Sequence, residues 1–259
     1  MASFQDTCSR RYAPGGGCAP AAPVDLCPVT IPYPAAVLWD MDGTLVDTEP
    51  YWILAETELV ESFGGTWTHA DAVGVIGSGL WTSAQALQAH GVTLHGDEIV
   101  ATLTARVREQ LTTSGVPWRP GARELLADVN AAGIPTALVT MSIRPMAEQI
   151  VSEIPFPAFD LLVTGDEVDN PKPHPDAYLT AARELGVEPA ESIAIEDSVS
   201  GLTSAIAAGT IAIGVPHMVA LSEGADRTIW PTLAGRSVAD LSAVAREHRA
   251  RAASAGANR

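Results

Sequence analysis

The sequence predicts an α/β fold in which a doubly wound parallel sheet carries a small inserted α-helical cap domain. Short apolar runs, typical of strands buried on both faces, recur along the chain. Amphipathic helical patterns separate most of these runs. The stretch 50–115 follows the first run and has helical periodicity without a strand run. Together these observations predict a covered sheet with a helical insert.

Five apolar runs are expected to form the strands. They are AAVLW (35–39), IPTALVT (134–140), FDLLVTG (159–165), SIAIED (192–197) and TIAIGV (210–215). The helical patterns around the later runs are GARELLADVNAAG, RPMAEQIVSEI, PDAYLTAARELG and GLTSAIAAG. Alternation of strand and helix places helices on both faces of a parallel sheet.

The insert contains the segments EPYWILAETELVESFGG, GLWTSAQALQAHG and DEIVATLTARVREQLTTSG. Ligands of open parallel sheets bind at the carboxyl ends of the strands. An insert that starts where the first strand ends would therefore cover the site like a lid. We divide the chain into a core (35–49 and 116–235), a cap (50–115), a leader (1–34) and a C-terminal helix with a frayed tail (236–259).

The leader is expected to be flexible and without function. It holds the three cysteines, Cys8, Cys18 and Cys27, whose spacing matches no zinc pattern and whose odd number does not make a closed disulfide set. Polar, Gly and Pro residues interrupt it repeatedly, so it lacks the apolar region of a secretory signal.

Composition excludes several kinds of partner. The formal net charge is -16 and the pI is near 4.6, which argues against nucleic acid and anionic membrane surfaces. No segment approaches the ~18 apolar residues of a membrane helix. We expect a cytoplasmic protein, a monomer or weak homodimer, with no nucleic-acid or membrane partner.

Acidic and hydroxyl side chains gather at the predicted strand ends. The first strand ends in Asp40-Met41-Asp42-Gly43-Thr44, the second in Thr140-Met141-Ser142, and the fourth in Glu196-Asp197-Ser198. Clustered carboxylates repel unless a cation lies among them, and the set Asp40, Asp42 and Asp197 suits Mg²⁺. Each of these motifs can also be explained without a functional role, since Asp-x-Asp-Gly often forms a turn and Ser, Thr or Asp often caps a helix.

Lys172, in the loop after the third strand, is the only lysine beside fourteen arginines. A single lysine can occur on the surface by chance, without a functional role. Its compact ammonium, with three donors, also suits a tight site in which it neutralises a carboxylate and holds a phosphate oxygen. Thr140 or Ser142 could donate a hydroxyl hydrogen bond to the same phosphate.

Four segments, DMDGTLVDTEP, LVTMS, NPKPHPDAY and IEDSVSG, resemble the ordered motifs of the haloacid dehalogenase-like superfamily. The long gap between the first two resembles the helical-cap subgroup that includes β-phosphoglucomutase and phosphoglycolate phosphatase. The resemblance covers roughly residues 35–220. It implies a phosphotransferase whose Asp40 is the nucleophile, forming an aspartyl-phosphate, and whose Asp42 is the general acid and base.

The resemblance also implies the remaining site residues. Mg²⁺ would be held by the side chains of Asp40 and Asp197 and the backbone carbonyl of Asp42, with Glu196 nearby or ligating. Phosphate would be bound by the Thr140 hydroxyl, the backbone amide of Met141 and the ammonium of Lys172. The second aspartate makes halide displacement improbable, because dehalogenases of this family lack it.

The expected reaction is Mg²⁺-dependent hydrolysis of a small phosphorylated metabolite. A sugar-phosphate mutase of the β-phosphoglucomutase type is the alternative. Against it, Trp52 stands where the mutase has a histidine, and the cap loop VIGSGLWTSAQ has no basic residue for a second phosphate. Trp52 and Trp81 could line the substrate pocket, although aromatic residues at helical spacing are more often core. A signalling receiver domain is excluded by the lid and by the second aspartate.

Overall fold

The structure, a computed structural model, describes residues 33–257. The predicted leader therefore lies almost wholly outside the described residues, as do the last two residues of the tail. The strands are β1 (Ala36–Trp39), β2 (Thr136–Val139), β3 (Leu161–Val163), β4 (Ser192–Glu196), β5 (Ile211–Gly214) and β6 (Arg227–Ile229).

The six strands form one sheet in the order β3-β2-β1-β4-β5-β6, and every neighbouring pair is parallel. Five of them correspond to the predicted apolar runs. The sequence did not indicate β6, because it is a half-buried strand of three residues at the sheet edge without an apolar run. The predicted α/β parallel fold is confirmed.

Helices cover both faces of the sheet. Those that follow the cap are α5 (Ala122–Ala131), α6 (Arg144–Ser152), α7 (Asp176–Leu185), α8 (Val199–Ala207) and α9 (Val238–Ala257), with a 3₁₀ turn at Pro189–Glu191. Side chains of β1 alternate between two cores, as expected for a pleated strand. Val37 and Trp39 pack on the side of α5, α6 and α9, whereas Ala36 and Leu38 pack on the side of α7 and α8.

Four helices lie between β1 and α5, in the stretch predicted as the cap. They are α1 (Glu49–Ser62), α2 (His69–Val75), α3 (Leu80–Ala89) and α4 (Gly96–Ser114). Thr68 and Asp71 form a capping box that starts the short α2. In the described part of the chain, no helix combines the length and apolar character needed to cross a membrane.

The strand order brings the polar strand ends together. Strand β1 lies between β2 and β4, with Leu38 paired to Ala137 on one side and to Ala194 on the other. The residues just beyond these three strands therefore lie side by side at the carboxyl edge of the sheet. The cap starts at the same edge.

Candidate active site

Lys172 is buried at the carboxyl edge of the sheet with all three donors of its ammonium in use. Its Nζ donates to Oδ1 of Asp40 at 2.7 Å, to Oε1 of Glu196 at 2.6 Å and to the backbone oxygen of Val139 at 2.9 Å. Burial alone would lower the pKa of Lys172, but attraction by Asp40 and Glu196 outweighs it and raises the pKa above its usual value. The lysine is therefore a fixed cation inside the protein.

Three buried carboxyl groups surround this cation. Oxygen atoms of Asp40, Glu196 and Asp197 all lie within 4.8 Å of one another. Burial, followed by repulsion from Glu196, raises the pKa of Asp40 to about 7, although Lys172 opposes the rise. Burial and the charge of Asp40 raise the pKa of Asp197 well above its ordinary value. One ammonium does not balance three carboxylates.

The carboxylate cluster has the donor set that a hard divalent cation requires. Within the described residues, Oδ2 of Asp40 and Oε2 of Glu196 are buried and have no hydrogen-bond partner. Buried polar atoms almost always have a partner, so two unpaired oxygens in one cluster need a ligand. Mg²⁺ binds carboxylate oxygens together with water and phosphate oxygens. The residues present therefore fit Mg²⁺.

Two glycines allow the carboxylates to come this close. Gly43 has a φ of +86°, and a Cβ atom there would lie 2.0 Å from Oδ2 of Asp197. A Cβ atom at Gly201 would lie 2.0 Å from Oε2 of Glu196. The Asp-x-Asp-Gly segment is thus a tight turn, as this sequence pattern often is, and it also borders the carboxylate cluster.

Tyr178, on α7, orients the side chain of Glu196. Its hydroxyl donates to Oε1 of Glu196 at 2.5 Å, the oxygen that also accepts from Lys172. Both donors hold the same oxygen, which leaves Oε2 without a hydrogen-bond partner among the described residues. Sequence reasoning missed Tyr178, because a tyrosine in an amphipathic helix reads as core.

Asp42 lies beside the cluster and is held by side-chain donors. Its Oδ1 accepts from the Thr48 hydroxyl and from Nε1 of Trp52 at 3.1 Å. Its Oδ2 accepts from Oγ of Ser142 at 2.7 Å and from Oγ1 of Thr140 at 3.4 Å. The carboxyl group of Asp42 is thereby fixed in orientation next to Asp40.

A cavity of about 70 Å³ joins these groups under the cap. The sequence-predicted residues that line it are Asp40, Asp42, Trp52, Thr140, Met141, Ser142, Lys172 and Asp197. Glu196 is buried within the carboxylate cluster. Trp81 lines a separate cavity of about 330 Å³, and its Nε1 donates to Asp97 at 2.7 Å. The structure thus brings Trp52, but not Trp81, next to Asp40 and Asp42.

Two acidic residues of α1 also line the first cavity and were not singled out from the sequence. Burial, then repulsion from Asp42, raises the pKa of Glu49 to about 8. Burial raises the pKa of Glu56 to about 7, against a hydrogen bond from Nε1 of Trp67 at 3.1 Å. Helical spacing could have indicated them, since Glu49 lies three residues before Trp52 and Glu56 four residues after it, on the same face of the helix.

Comparison with known proteins relates most of the chain to one family. Residues 37–215 match the family model described as haloacid dehalogenase-like hydrolase. Hexitol phosphatase A of Escherichia coli is 32% identical over 198 residues, which cover 73% of this chain and 83% of that protein.

Two solved structures share the fold. The structure of CbbY from Rhodobacter sphaeroides in complex with xylulose-(1,5)bisphosphate has a TM-score of 0.72 and 28% identity, covering 78% of this chain and 96% of that one. The structure of β-phosphoglucomutase from Clostridium difficile has a TM-score of 0.71 and 21% identity, covering 83% and 99%.

Proposed function

Because the chain belongs to the haloacid dehalogenase-like hydrolase family and is a phosphoric monoester hydrolase, we propose that it is a Mg²⁺-dependent phosphatase of a small phosphorylated carbohydrate. The reaction proceeds through an aspartyl-phosphate on Asp40. The observation that carries this proposal is the buried contact between Lys172 and Asp40 inside a cluster of unpaired carboxylate oxygens. The similarity to hexitol phosphatase A supports the carbohydrate class of substrate.

In the first step, a carboxylate oxygen of Asp40 attacks phosphorus, and the bond between phosphorus and the leaving oxygen breaks. Asp42 gives its proton to the departing alkoxide, which leaves as an alcohol. The donors on Asp42, among them Trp52 and Ser142, hold its carboxyl group for this transfer. Asp40 now carries the phosphoryl group.

In the second step, Asp42 takes a proton from water, and the water oxygen attacks phosphorus. The bond between phosphorus and Asp40 breaks, which releases inorganic phosphate and restores the carboxylate. The same residue therefore acts first as an acid and then as a base. Closure of the cap over the cavity limits access of other water.

Asp40, Glu196 and Asp197 would hold Mg²⁺ with their side chains, together with the backbone carbonyl of Asp42. The ion would supply positive charge that stabilises the phosphoryl oxygens during transfer. Lys172 neutralises Asp40 and attracts the phosphate by its positive charge, whereas the Thr140 hydroxyl binds a phosphate oxygen.

A mutase is less well supported. It must hold a bisphosphate in two orientations, which requires a second cationic position. Among the described residues that line the cavity, Lys172 is the single cation. The cavity therefore has one place for a phosphate group.

The test is phosphate release by the purified protein. It is incubated with Mg²⁺ and a panel of hexitol, hexose and pentose phosphates, phosphoglycolate and nucleotides, with EDTA as the control. We expect metal-dependent release from a carbohydrate phosphate. Isomerisation of a hexose 1-phosphate without release would favour the mutase, and inactivity on every ester would overturn the proposal.

A further inference from the structure

We propose that Glu49 and Glu56 bind hydroxyl groups of the leaving group, so that the enzyme selects monophosphates of polyhydroxylated compounds. This inference rests on the proposed phosphatase function. It names the protein groups that contact the part of the substrate beyond the phosphate, and it makes α1 of the cap the source of selectivity.

Both carboxyl groups are buried in the cavity that contains the proposed nucleophile. Glu49 is 7% exposed and Glu56 is 5% exposed, and both line the cavity with Asp40 and Asp42. They lie on the cap side, whereas the phosphate-binding groups lie at the sheet edge. A substrate with its phosphate beside Asp40 would direct its leaving group toward this pair.

The Glu49 carboxylate has no hydrogen-bond partner among the residues that the structure describes. Burying an ionisable group without a partner costs free energy, so such a group seldom persists without a use. Glu49 also lies outside the metal-binding cluster of Asp40, Glu196 and Asp197. Its carboxyl group is therefore available to a ligand in the cavity.

Glu56 is oriented by a second cap residue. Nε1 of Trp67 donates to Oε2 of Glu56 at 3.1 Å, and the buried Trp67 ring forms a T-shaped contact with the His90 ring, with centroids 4.8 Å apart. Trp67 is a positioning residue that occupies Oε2 of Glu56 and leaves Oε1 without a hydrogen-bond partner among the described residues. Ser83 of α3 lines the same cavity, and in the described part of the chain its hydroxyl has no partner.

The chemistry of the pair fits hydroxyl groups better than a second phosphate or an amine. No cation lies among the described residues on this side of the cavity, which disfavours phosphate. Burial raises the pKa of Glu49 to about 8 and that of Glu56 to about 7, so near neutral pH the carboxyl groups can donate as well as accept. A hydroxyl group has the same dual capacity, whereas an ammonium group requires ionised carboxylates.

The test compares selectivity in three variants of α1. The ratio of kcat/KM for a hexitol 6-phosphate to kcat/KM for n-hexyl phosphate is measured in the wild type, Glu49→Leu and Glu56→Leu, because leucine removes both the donor and the acceptor of the carboxyl group. We expect the wild type to prefer the hexitol ester and each variant to lower the ratio by up to about tenfold, the range for loss of one hydrogen bond. Glu61→Leu, an exposed exchange on the same helix, should leave the ratio unchanged.

If Glu49→Leu does not fold, Glu49→Asp keeps the carboxyl group but withdraws it from the cavity, and the ratio should fall in the same direction. An unchanged ratio in both Glu49 and Glu56 variants would overturn the recognition site while the phosphatase function stands. Preference of the wild type for an amino-alcohol phosphate would also overturn it. Inactivity of the wild type on every ester would instead overturn the function and the inference together.

Discussion

The ammonium nitrogen of Lys172 lies 2.7 Å from Oδ1 of Asp40, at the end of the central strand of the sheet. The contact joins two segments that are 132 residues apart in the chain. It is buried, and Glu196 shares the same ammonium. Since the cation is fixed before substrate arrives, its positive charge can act on a bound phosphate without reorganisation.

Lys172→Arg should lower kcat/KM by at least about 100-fold although the charge is kept. Three acceptors surround one nitrogen at 2.6 to 2.9 Å, and a planar guanidinium does not fit this arrangement. Steady-state kinetics of phosphate release test this, with the exposed exchange Arg183→Lys as the control. Activity within tenfold of the wild type would show that the site needs only a positive charge.

Mg²⁺ should stabilise the wild-type protein against thermal unfolding. Binding to the folded state alone adds about 2.7 kcal/mol when the free ion is at one hundred times its Kd. Asp197→Asn removes a ligand from the cluster and should abolish the shift in melting temperature, whereas the exposed Asp226→Asn should keep it. A full Mg²⁺ shift in Asp197→Asn would place the ion elsewhere.

Gly77→Ala should displace the cap from the core. Gly77 has a φ of +71°, and a Cβ atom there would lie 2.7 Å from the side chain of Ser198, which lines the cavity. Strain of about 1–2 kcal/mol should reduce kcat/KM by roughly tenfold. At Gly74 in α2, a Cβ atom would meet nothing within 4 Å, so Gly74→Ala is the matched control. Equal kcat/KM values in Gly77→Ala and Gly74→Ala would contradict this role of Gly77.

Glu56 should make stability fall as the pH rises from about 4.5 to 7. Burial raises its pKa from 4.5 to about 7 in the folded protein, so the folded state binds the proton more tightly than the unfolded state does. Stability is therefore highest below the unfolded pKa and levels off at a lower value above the folded pKa. The loss is on the order of 3 kcal/mol at most.

Urea unfolding at pH 5 and pH 8 tests the role of Glu56. Glu56→Gln has no proton to lose at this position, so its decrease between the two pH values should be smaller than that of the wild type. Glu61→Gln should decrease as the wild type does, since Glu61 is exposed. If the free energy of unfolding of Glu56→Gln decreased as much as that of the wild type, other groups would determine the pH dependence.

The core of the fold could be predicted because its signals are local. Buried parallel strands are continuous apolar runs, and Asp40, Thr140 and Asp197 follow three such runs directly. Strand β6 and helix α2 escaped because three residues and seven residues carry too little periodicity. Their formation depends on packing and capping contacts.

The cap side of the site was harder to predict because it depends on how helices face one another. Trp52 and Trp81 look alike in sequence, yet one donates to Asp42 and the other to Asp97. Glu49 reads as a favourable acidic residue in the first turn of a helix. Its burial becomes apparent only when α1 is placed over the sheet edge.

The central claim is that Asp40 carries the phosphoryl group. Acid quench of the enzyme during turnover of a carbohydrate phosphate, followed by peptide mass spectrometry, measures this directly. The account predicts a phosphoryl group on the peptide that contains Asp40, located at that residue. An enzyme that releases phosphate while Asp40 stays unmodified, or with the phosphoryl group on another side chain, would contradict it.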